Sequence, residues 1–408
     1  MAAENAAGGS IRSVRASFRF EEFDADPFSL RARVGRGAVV ELCTRDAVLV
    51  VAAFRALEGF AAEVSLRSGD GAVESHGSHS LLSESYSPSG LSVSDRAEGF
   101  SGSTRWVLHT SGTSGAPKVI AHTMSSLTGL YRRERTVPQR TWGLLYDPTR
   151  MAGIQVLLHA LGTGASVVVP DLDASLADRI GFLRERGTDA LSATPTLWRR
   201  ILQVPAAAGW ELAQVTVGGE IADQMILDAL KRAFSSARIT HVFAATESGT
   251  AFSVSDGRAG FPVDLLEAGR TGTRIDVRDS MLHVLNPESS AAGSDGFVCT
   301  GDVVEVRDGR VFFLGRNTGV VNVGGQNVWP EQVEKVLREH PEIEDARVTA
   351  QPSSLAGNVL IADVVAGGGV TAGQLRTWVR ERAPISHVPA RIRFVEELST
   401  GATGKVLR

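Results

Sequence analysis

The chain has 408 residues, 43% of them hydrophobic and 22% charged, with a formal net charge of -4. That balance fits a globular protein of two or three domains and argues against a nucleic-acid binder that works by neutralising backbone phosphates. Two cysteines, Cys43 and Cys299, stand far apart without a CxxC spacing, so neither a disulfide framework nor a zinc site is expected. No apolar run has the length of a membrane span and the start, MAAENAAGGSIRS, lacks the apolar core of a signal peptide, so a cytoplasmic location without a membrane partner is expected.

Residues 1–15 are rich in Ala, Gly and Ser and read as loosely docked or disordered. Ser17-Phe18-Arg19-Phe20 and the run 38–42 suit strands. Over 46–61 apolar residues fall on every side of the helical wheel, which predicts a buried helix capped by Asp46, and Glu63-Val64-Ser65-Leu66 reads as the next strand. Strand, helix and strand make a βαβ unit. The stretch 67–103, full of Gly, Ser, Asp and Glu, reads as a long surface connection.

Trp106 to Leu108 reads as the end of a buried strand, and it runs into His109-Thr110-Ser111-Gly112-Thr113-Ser114-Gly115-Ala116-Pro117-Lys118. Those ten residues hold four hydroxyls, two glycines and one lysine. Glycines let backbone N–H groups turn toward an anion and hydroxyls add donors, so the loop reads as a phosphate cradle, although alone it also fits a flexible turn. It is not the Walker loop, because Pro117 precedes the lysine and Val119 follows it.

Beyond the loop the pattern predicts a helix over 123–134, a strand over 142–146 ending at Asp147-Pro148, a buried helix over 151–161 and a strand over 166–169. An amphipathic helix over 175–186, a strand over 191–194 ending at Pro195 and a helix over 196–202 follow, and this alternation is the signature of a parallel sheet. Strands over 214–217 and 239–244 lead into Gly218-Gly219-Glu220 and Ala245-Thr246-Glu247, where such sheets bind ligands. Over 260–316 helices disappear and short β segments at 274–277, 282–285, 297–300, 303–306 and 311–314 alternate with turns such as Asp295-Gly296 and Asp308-Gly309. Past Arg316 a compact α+β pattern begins: a Gly-rich hairpin, helices over 330–339 and 371–382, and strands over 345–351, 360–365 and 392–395.

Activating a carboxylate with ATP requires a triphosphate cradle, a magnesium ligand, a grip on the nucleoside and a cation over the reacting oxygens. Candidates stand in order along the chain: the Ser/Thr/Gly loop, Phe243-Ala244-Ala245-Thr246-Glu247, Thr300-Gly301-Asp302, Gly315-Arg316, VNVGGQNVWPEQVEKVL over 321–337, and the closing Thr403-Gly404-Lys405-Val406-Leu407-Arg408. Singly, these segments also fit a helix start, a β-turn or a solvated tail. Taken together they resemble the adenylate-forming superfamily, which includes acyl-CoA and aryl-CoA ligases, adenylation domains and luciferases.

The resemblance implies an α/β fold: a large N-terminal body over 1–316, with αβαβα layers and a small β subdomain, and a small mobile α+β domain over 317–408. It implies that Thr110, Ser111, Gly112, Thr113, Ser114, Gly115 and Lys118 cradle the phosphates of ATP. Gly219, Glu220, Phe243 and Ala244 would border the nucleotide, Phe243 near the adenine. Thr246 would bond phosphate, Glu247 would ligate Mg2+, Asp302 would hold both ribose hydroxyls, and Arg316 would also reach the nucleotide. Thr318 falls at the hinge, Gly324 and Gly325 at the pantetheine path, and Lys405 would bridge carboxylate and α-phosphate before swinging away. Lys118, Thr246, Glu247 and Lys405 are thus the catalytic candidates, and Thr149, Arg150, Thr194 and Gly218 the substrate-binding ones. Trp198 and Trp210 find no place.

This chain departs from the family pattern at Ala244, where glycine is usual, at Thr318, where Asp or Lys is usual, and in a shorter portion ahead of the phosphate loop. Thr149-Arg150 also stands where ligases carry His or an aromatic residue before the Ala-Gly. Arginine pairs carboxylates bidentately, and succinylbenzoate-type CoA ligases, which the flanking TW and QVLLHALGTG segments resemble, use dicarboxylates. The expected activity is adenylation of an aryl or short acyl carboxylic acid with pyrophosphate release, then thioester formation with CoA. The alternatives are a carrier protein or an amine as acceptor, nitrite activation for diazotisation of an aryl amine, and a nucleotide-binding regulator without turnover.

Overall fold

The computed structural model describes residues 10–13, 17–19, 30–69, 91–96, 102–110, 118–128, 138–245, 249–268, 274–286, 292–353 and 357–399. Near the start, β1 (Ser10–Ser13) and β2 (Ser17–Arg19) pair antiparallel. After α1 (Leu30–Val34), the expected βαβ unit is formed by β3 (Ala38–Cys43), α2 (Ala47–Leu57) and β4 (Glu63–Arg67), with β3 and β4 parallel. Asp46 caps α2 by accepting the Val48 N–H at 2.9 Å, and every α2 residue except Arg55 is buried. The expectation of a bare connection over 67–103 is corrected by β5 (Leu91–Arg96), which runs antiparallel to β3; with only Leu91 and Val93 apolar, its alternation is too short to stand out among the surrounding polar residues.

Next, β6 (Arg105–Thr110) and β7 (Lys118–His122) pair antiparallel, so Thr110 and Lys118 face each other where the Ser/Thr/Gly loop leaves and rejoins the ladder. The order β5-β3-β4-β6-β7 makes the first sheet. The helix α3 (Met124–Thr128) starts where expected, and 129–134 lie outside the described residues.

The second sheet is built from β8 (Thr141–Gly143), α4 (Met151–Thr163), β9 (Ser166–Val169), α5 (Leu176–Glu185), β10 (Ala190–Ala193) and α6 (Pro195–Gln203). It continues with β11 (Gln214–Gly218), α7 (Gln224–Ala233), β12 (Arg238–Ala245) and β13 (Gly249–Val254). Its order is β13-β12-β11-β10-β8-β9-β1-β2; every pair from β12 to β1 is parallel, and the edges are antiparallel. Trp198 and Trp210 are core residues, their indoles donating to the Thr216 and Thr188 carbonyls. Strand β8 is shorter than expected, ending at Gly143, and the chain then turns through Asp147-Pro148 into α4.

An antiparallel sheet follows, of β14 (Phe261–Pro262), β15 (Ile275–Arg278), β16 (Met281–Leu285), β17 (Phe297–Arg307) and β18 (Arg310–Arg316), with α8 (Asp264–Ala268) after β14. Two expectations are corrected. Helix does occur here, in the five residues of α8, too few to show a period. The segments at 297–300 and 303–306 are one strand, irregular at Val303/Val304 and eased by Gly301 at φ 77°. Asp308 and Gly309 turn β17 into β18 with φ 49° and 70°.

The C-terminal elements are β19 (Val321–Val323), β20 (Gln326–Val328), α9 (Pro330–Arg338), β21 (Ile343–Ser353), β22 (Gly357–Ala366), α10 (Ala372–Arg382) and β23 (Arg391–Phe394). They share a core of their own, including Val333, Leu337, Val348, Leu360, Val364 and Leu375. A capping box between Thr371 and Gln374 starts α10.

Candidate active site

The carboxyl ends of the parallel strands converge, as the fold requires. At the end of β10, Thr194 caps α6 by accepting the Leu197 N–H at 3.1 Å, and Pro195 occupies the first helical position. After β11, Gly219 takes φ 82° and turns the chain so that Glu220 accepts the Thr196 N–H at 3.0 Å. Gly218 lies so close to β12 that a Cβ there would stand 3.2 Å from the Val242 carbonyl. Tyr146, beyond β8, is buried; desolvation raises its phenol pKa, Ser192 hydrogen-bonds it, and the Glu220 charge adds to the rise. Neither Tyr146 nor Ser192 is read as functional from the sequence. They sit beside Thr194 and Glu220 only because non-adjacent segments meet in the sheet.

Asp147 organises the turn that follows Tyr146. Its Oδ1 accepts both the N–H and the hydroxyl of Thr149, at 2.9 and 2.6 Å, and its Oδ2 accepts from Ser68. Thr149 is 1% exposed and its hydroxyl is committed to this turn. Gly153 makes the turn possible, since a Cβ there would lie 2.1 Å from the Asp147 carbonyl oxygen. Arg150 points back to the first sheet: its Nη1 donates to the His109 carbonyl at 2.5 Å, at the root of the Ser/Thr/Gly loop. Its Nε is buried and meets no partner among the described residues. His109 also hydrogen-bonds Ser65 through Nε2 at 2.9 Å, and burial, then the charges of Arg67 and Arg150, lower its pKa against the opposing pull of Glu41.

A second cluster joins β12 to the antiparallel sheet. The ring of Phe243 stacks on Phe252 at 5.3 Å and on Phe313 of β18 at 5.2 Å. Three residues beyond Phe313, Arg316 stands directly across the ladder from Asp302. Its Nε lies 3.0 Å from Asp302 Oδ1 and its Nη1 donates to the Thr300 carbonyl at 2.6 Å. A carboxylate held in this way, beside Gly301 at φ 77°, could accept from a nucleoside cis-diol.

Ser111, Gly112, Thr113, Ser114, Gly115, Thr246, Glu247 and Lys405 lie outside the described residues, and Thr110 and Lys118 are described only as backbone pairs of the β6–β7 ladder. Ala244 lies on β12 just past its irregular pair at Phe243. Thr318 is exposed in the turn Asn317–Gly319 that follows β18, and Gly324 and Gly325 form the β19–β20 turn with φ 58° and 89°. Among the described residues no group of three or more His, Cys, Asp or Glu could hold a metal, and no helix is long and apolar enough to cross a membrane.

The family model described as AMP-binding enzyme matches residues 51–301, and one described as AMP-binding enzyme C-terminal domain matches 332–405. The chain is 27% identical over 355 residues to the acyl-coenzyme A synthetase ACSM5 of Mus musculus, an overlap of 76% of this chain and 60% of that protein. With the 2-succinylbenzoate–CoA ligase of Geobacillus kaustophilus it shares 26% identity over 340 residues, 74% of this chain and 67% of the ligase. The chain thus spans about 60% of the length of the ACSM5 relatives it matches. Among solved structures, the o-succinylbenzoate CoA synthetase of Bacillus subtilis bound to its acyl-adenylate shares the fold with a TM-score of 0.72, covering 98% of this chain and 94% of that one at 17% identity.

Proposed function

The chain belongs to the AMP-binding enzyme family, and we propose that it adenylates an aryl or short acyl carboxylic acid with ATP, releases pyrophosphate and passes the acyl group to the thiol of CoA. One contact above all supports this reading. The stack of Phe243 on Phe313 brings the strand that leads into Ala245-Thr246-Glu247 against the strand whose Arg316 holds Asp302. This supports a reading in which the candidate adenine and ribose residues, Phe243, Asp302 and Arg316, serve one nucleotide. The likeness to an acyl-coenzyme A synthetase and a 2-succinylbenzoate–CoA ligase supports the acid and the CoA acceptor.

In the first step a carboxylate oxygen attacks the α-phosphorus, the bond to the bridging oxygen breaks, and pyrophosphate leaves without a proton transfer. The protein's task is therefore charge and position. Thr110, Ser111, Gly112, Thr113, Ser114, Gly115 and Lys118 would cradle the phosphates, with Thr246 bonding them. Glu247 would hold magnesium, which supplies positive charge to the leaving pyrophosphate. Gly219, Glu220, Phe243 and Ala244 would border the nucleotide, and Asp302 with Arg316 would fix the ribose. Thr194, Gly218, Thr149 and Arg150 would shape the acid's site, and Lys405 would neutralise the approaching oxygens. For the second step we take residues 317–408 to turn about Thr318, withdrawing Lys405 and presenting the Gly324-Gly325 hairpin to pantetheine. The thiol sulfur then attacks the acyl carbon, the acyl–phosphate bond breaks, AMP leaves and the thiol proton passes to solvent.

Substrate-dependent exchange of pyrophosphate into ATP, measured with magnesium across aryl acids, dicarboxylic acids and short fatty acids, tests the reading. A parallel arm with nitrite and aryl amines is read by product mass. Exchange with one acid class is the expected result, and thioester formation on adding CoA names the acceptor. Product only in the nitrite arm would replace the carboxylate by nitrite. Nucleotide binding without exchange in any arm would leave a regulator.

A further inference from the structure

The body and the C-terminal unit have separate apolar cores, are joined through the turn Asn317–Gly319, and face each other across a cluster of charged side chains. On the body, Arg199 of α6 donates to Oδ2 of Asp223, the cap of α7, at 2.7 Å. The same oxygen accepts from Arg338 Nε of α9 at 3.1 Å, across the boundary. Arg338 also faces Asp345 at 3.6 Å and Glu334 at 3.7 Å, and Arg199 stands 3.9 Å from Asp345. At the rim, Gln203 donates to Glu344 at 2.8 Å and Arg200 to Glu397 at 3.3 Å. None of the side chains of Arg199, Asp223, Glu334, Arg338 and Asp345 is more than 13% exposed.

Removing one partner of a buried ion pair ordinarily strands the other charge, at a large cost. Separation of these two units strands neither. Asp223 keeps Arg199 and the Ile226 N–H that it accepts at 3.0 Å. Arg338 keeps Glu334, Asp345 and the Ala346 carbonyl, to which it donates at 3.1 Å. Glu334 keeps the Val348 N–H and Asp345 the Ala346 N–H, both at 2.9 Å. Each half is complete alone, and the Asp223–Arg338 contact and the longer Arg199–Asp345 approach are added when they meet.

We propose that this cluster is a reversible latch that holds the C-terminal unit against α6 and releases it without leaving a bare buried charge. The helix that carries the body's half also begins at the proposed acid pocket: Thr194 caps α6, Glu220 holds its Thr196 N–H, and Arg199, Arg200 and Gln203 follow along it. A ligand that shifts Glu220 or Thr194 therefore shifts the latch. This last link rests on the proposed pocket, whereas the latch stands on its own geometry.

The test is cleavage of the full chain by trypsin after Arg316, which precedes the turn, followed by mass spectrometry without nucleotide or acid. Asp223→Asn keeps an oxygen to cap α7 but removes the charge that Arg338 meets. It is expected to speed cleavage at this bond about tenfold, with an unchanged far-ultraviolet dichroism spectrum. Arg338→Gln should do the same, and the double variant should be no faster than the faster single, because the Asp223–Arg338 contact between the halves is lost in both, their other lost partners lying within one half. Should Arg338→Gln not fold, Asp223→Asn alone decides. A rate within threefold of the parent overturns the latch, as does a double variant whose effect is the product of the singles. Because no substrate is present, failure here leaves the proposed adenylation untouched, and failure of exchange leaves the latch untouched.

Discussion

Replacing Asp302 tests whether the end of β17 grips a ribose. Arg316 holds Asp302 Oδ1 at 3.0 Å, and the carboxylate side chain is only 14% exposed, so it would accept hydroxyl hydrogen bonds as an ion partly out of water. Hydrogen bonds to charged groups contribute about 1.5–3 kcal/mol each, so losing two at the lower figure weakens ATP binding about 100-fold. Asp302→Ala should show that loss by titration calorimetry, and Asp302→Asn, which keeps one acceptor, about tenfold. A second ligand isolates the contact: the parent should bind 2′-deoxy-ATP about tenfold more weakly than ATP, while Asp302→Ala should bind both alike. A deoxy penalty that survives in Asp302→Ala would refute the assignment, whatever the overall loss of affinity.

Gly153→Ala should cost about 1–3 kcal/mol, because its Cβ would stand 2.1 Å from the Asp147 carbonyl oxygen and the Thr149 turn would have to move; an unchanged melting temperature would contradict this. Arg150→Met removes the donor to the His109 carbonyl and the cation proposed for the acid's site, so KM for ATP should rise about fivefold through the loop's root together with KM for the acid, whereas an unchanged KM for the acid would take Arg150 out of that site. Burial holds His159 and His241 down to pKa values of about 4 from 6.5, so the unfolded chain binds their protons first as pH falls. Their stabilising contribution is present above pH 6.5 and lost on descent toward pH 4, with a slope approaching about 2.7 kcal/mol per unit, and a urea midpoint flat over that window would exclude it. Lys405→Ala should abolish pyrophosphate exchange while ATP still binds; retained exchange would remove Lys405 from the proposed chemistry.

Much of the scaffold was legible because its signals are local. The apolar wheel of α2 with Asp46 ahead of it, the strand ends at Pro195 and Gly218, and the Asp308-Gly309 turn each follow from neighbours in sequence. Where a strand has only two apolar residues, as in Leu91–Arg96, or an element is five residues long, as in Asp264–Ala268, the pattern carries too little contrast. The site divides in the same way. The Asp302 and Arg316 tripeptide and dipeptide could be picked out singly, but their facing positions depend on the β17–β18 register. That Asp147 takes up the Thr149 hydroxyl reflects a turn geometry that residue types alone do not specify. Nothing near Asp223 in sequence announces Arg338, which reaches it only through the packing of two separate cores.

Thr194 and Glu220, which border the proposed acid and nucleotide sites, lie just past the ends of strands whose interiors are filled by residues such as Leu191, Val215 and Val217. Heritable variation at the rim can therefore accumulate without a toll on the sheet beneath. A lineage built on this frame can change its diet one connecting segment at a time. Thr194 and Glu220 are less free than the segments around them, since each also fixes the first turn of α6, so substitutions there would retune the helix along with the pocket.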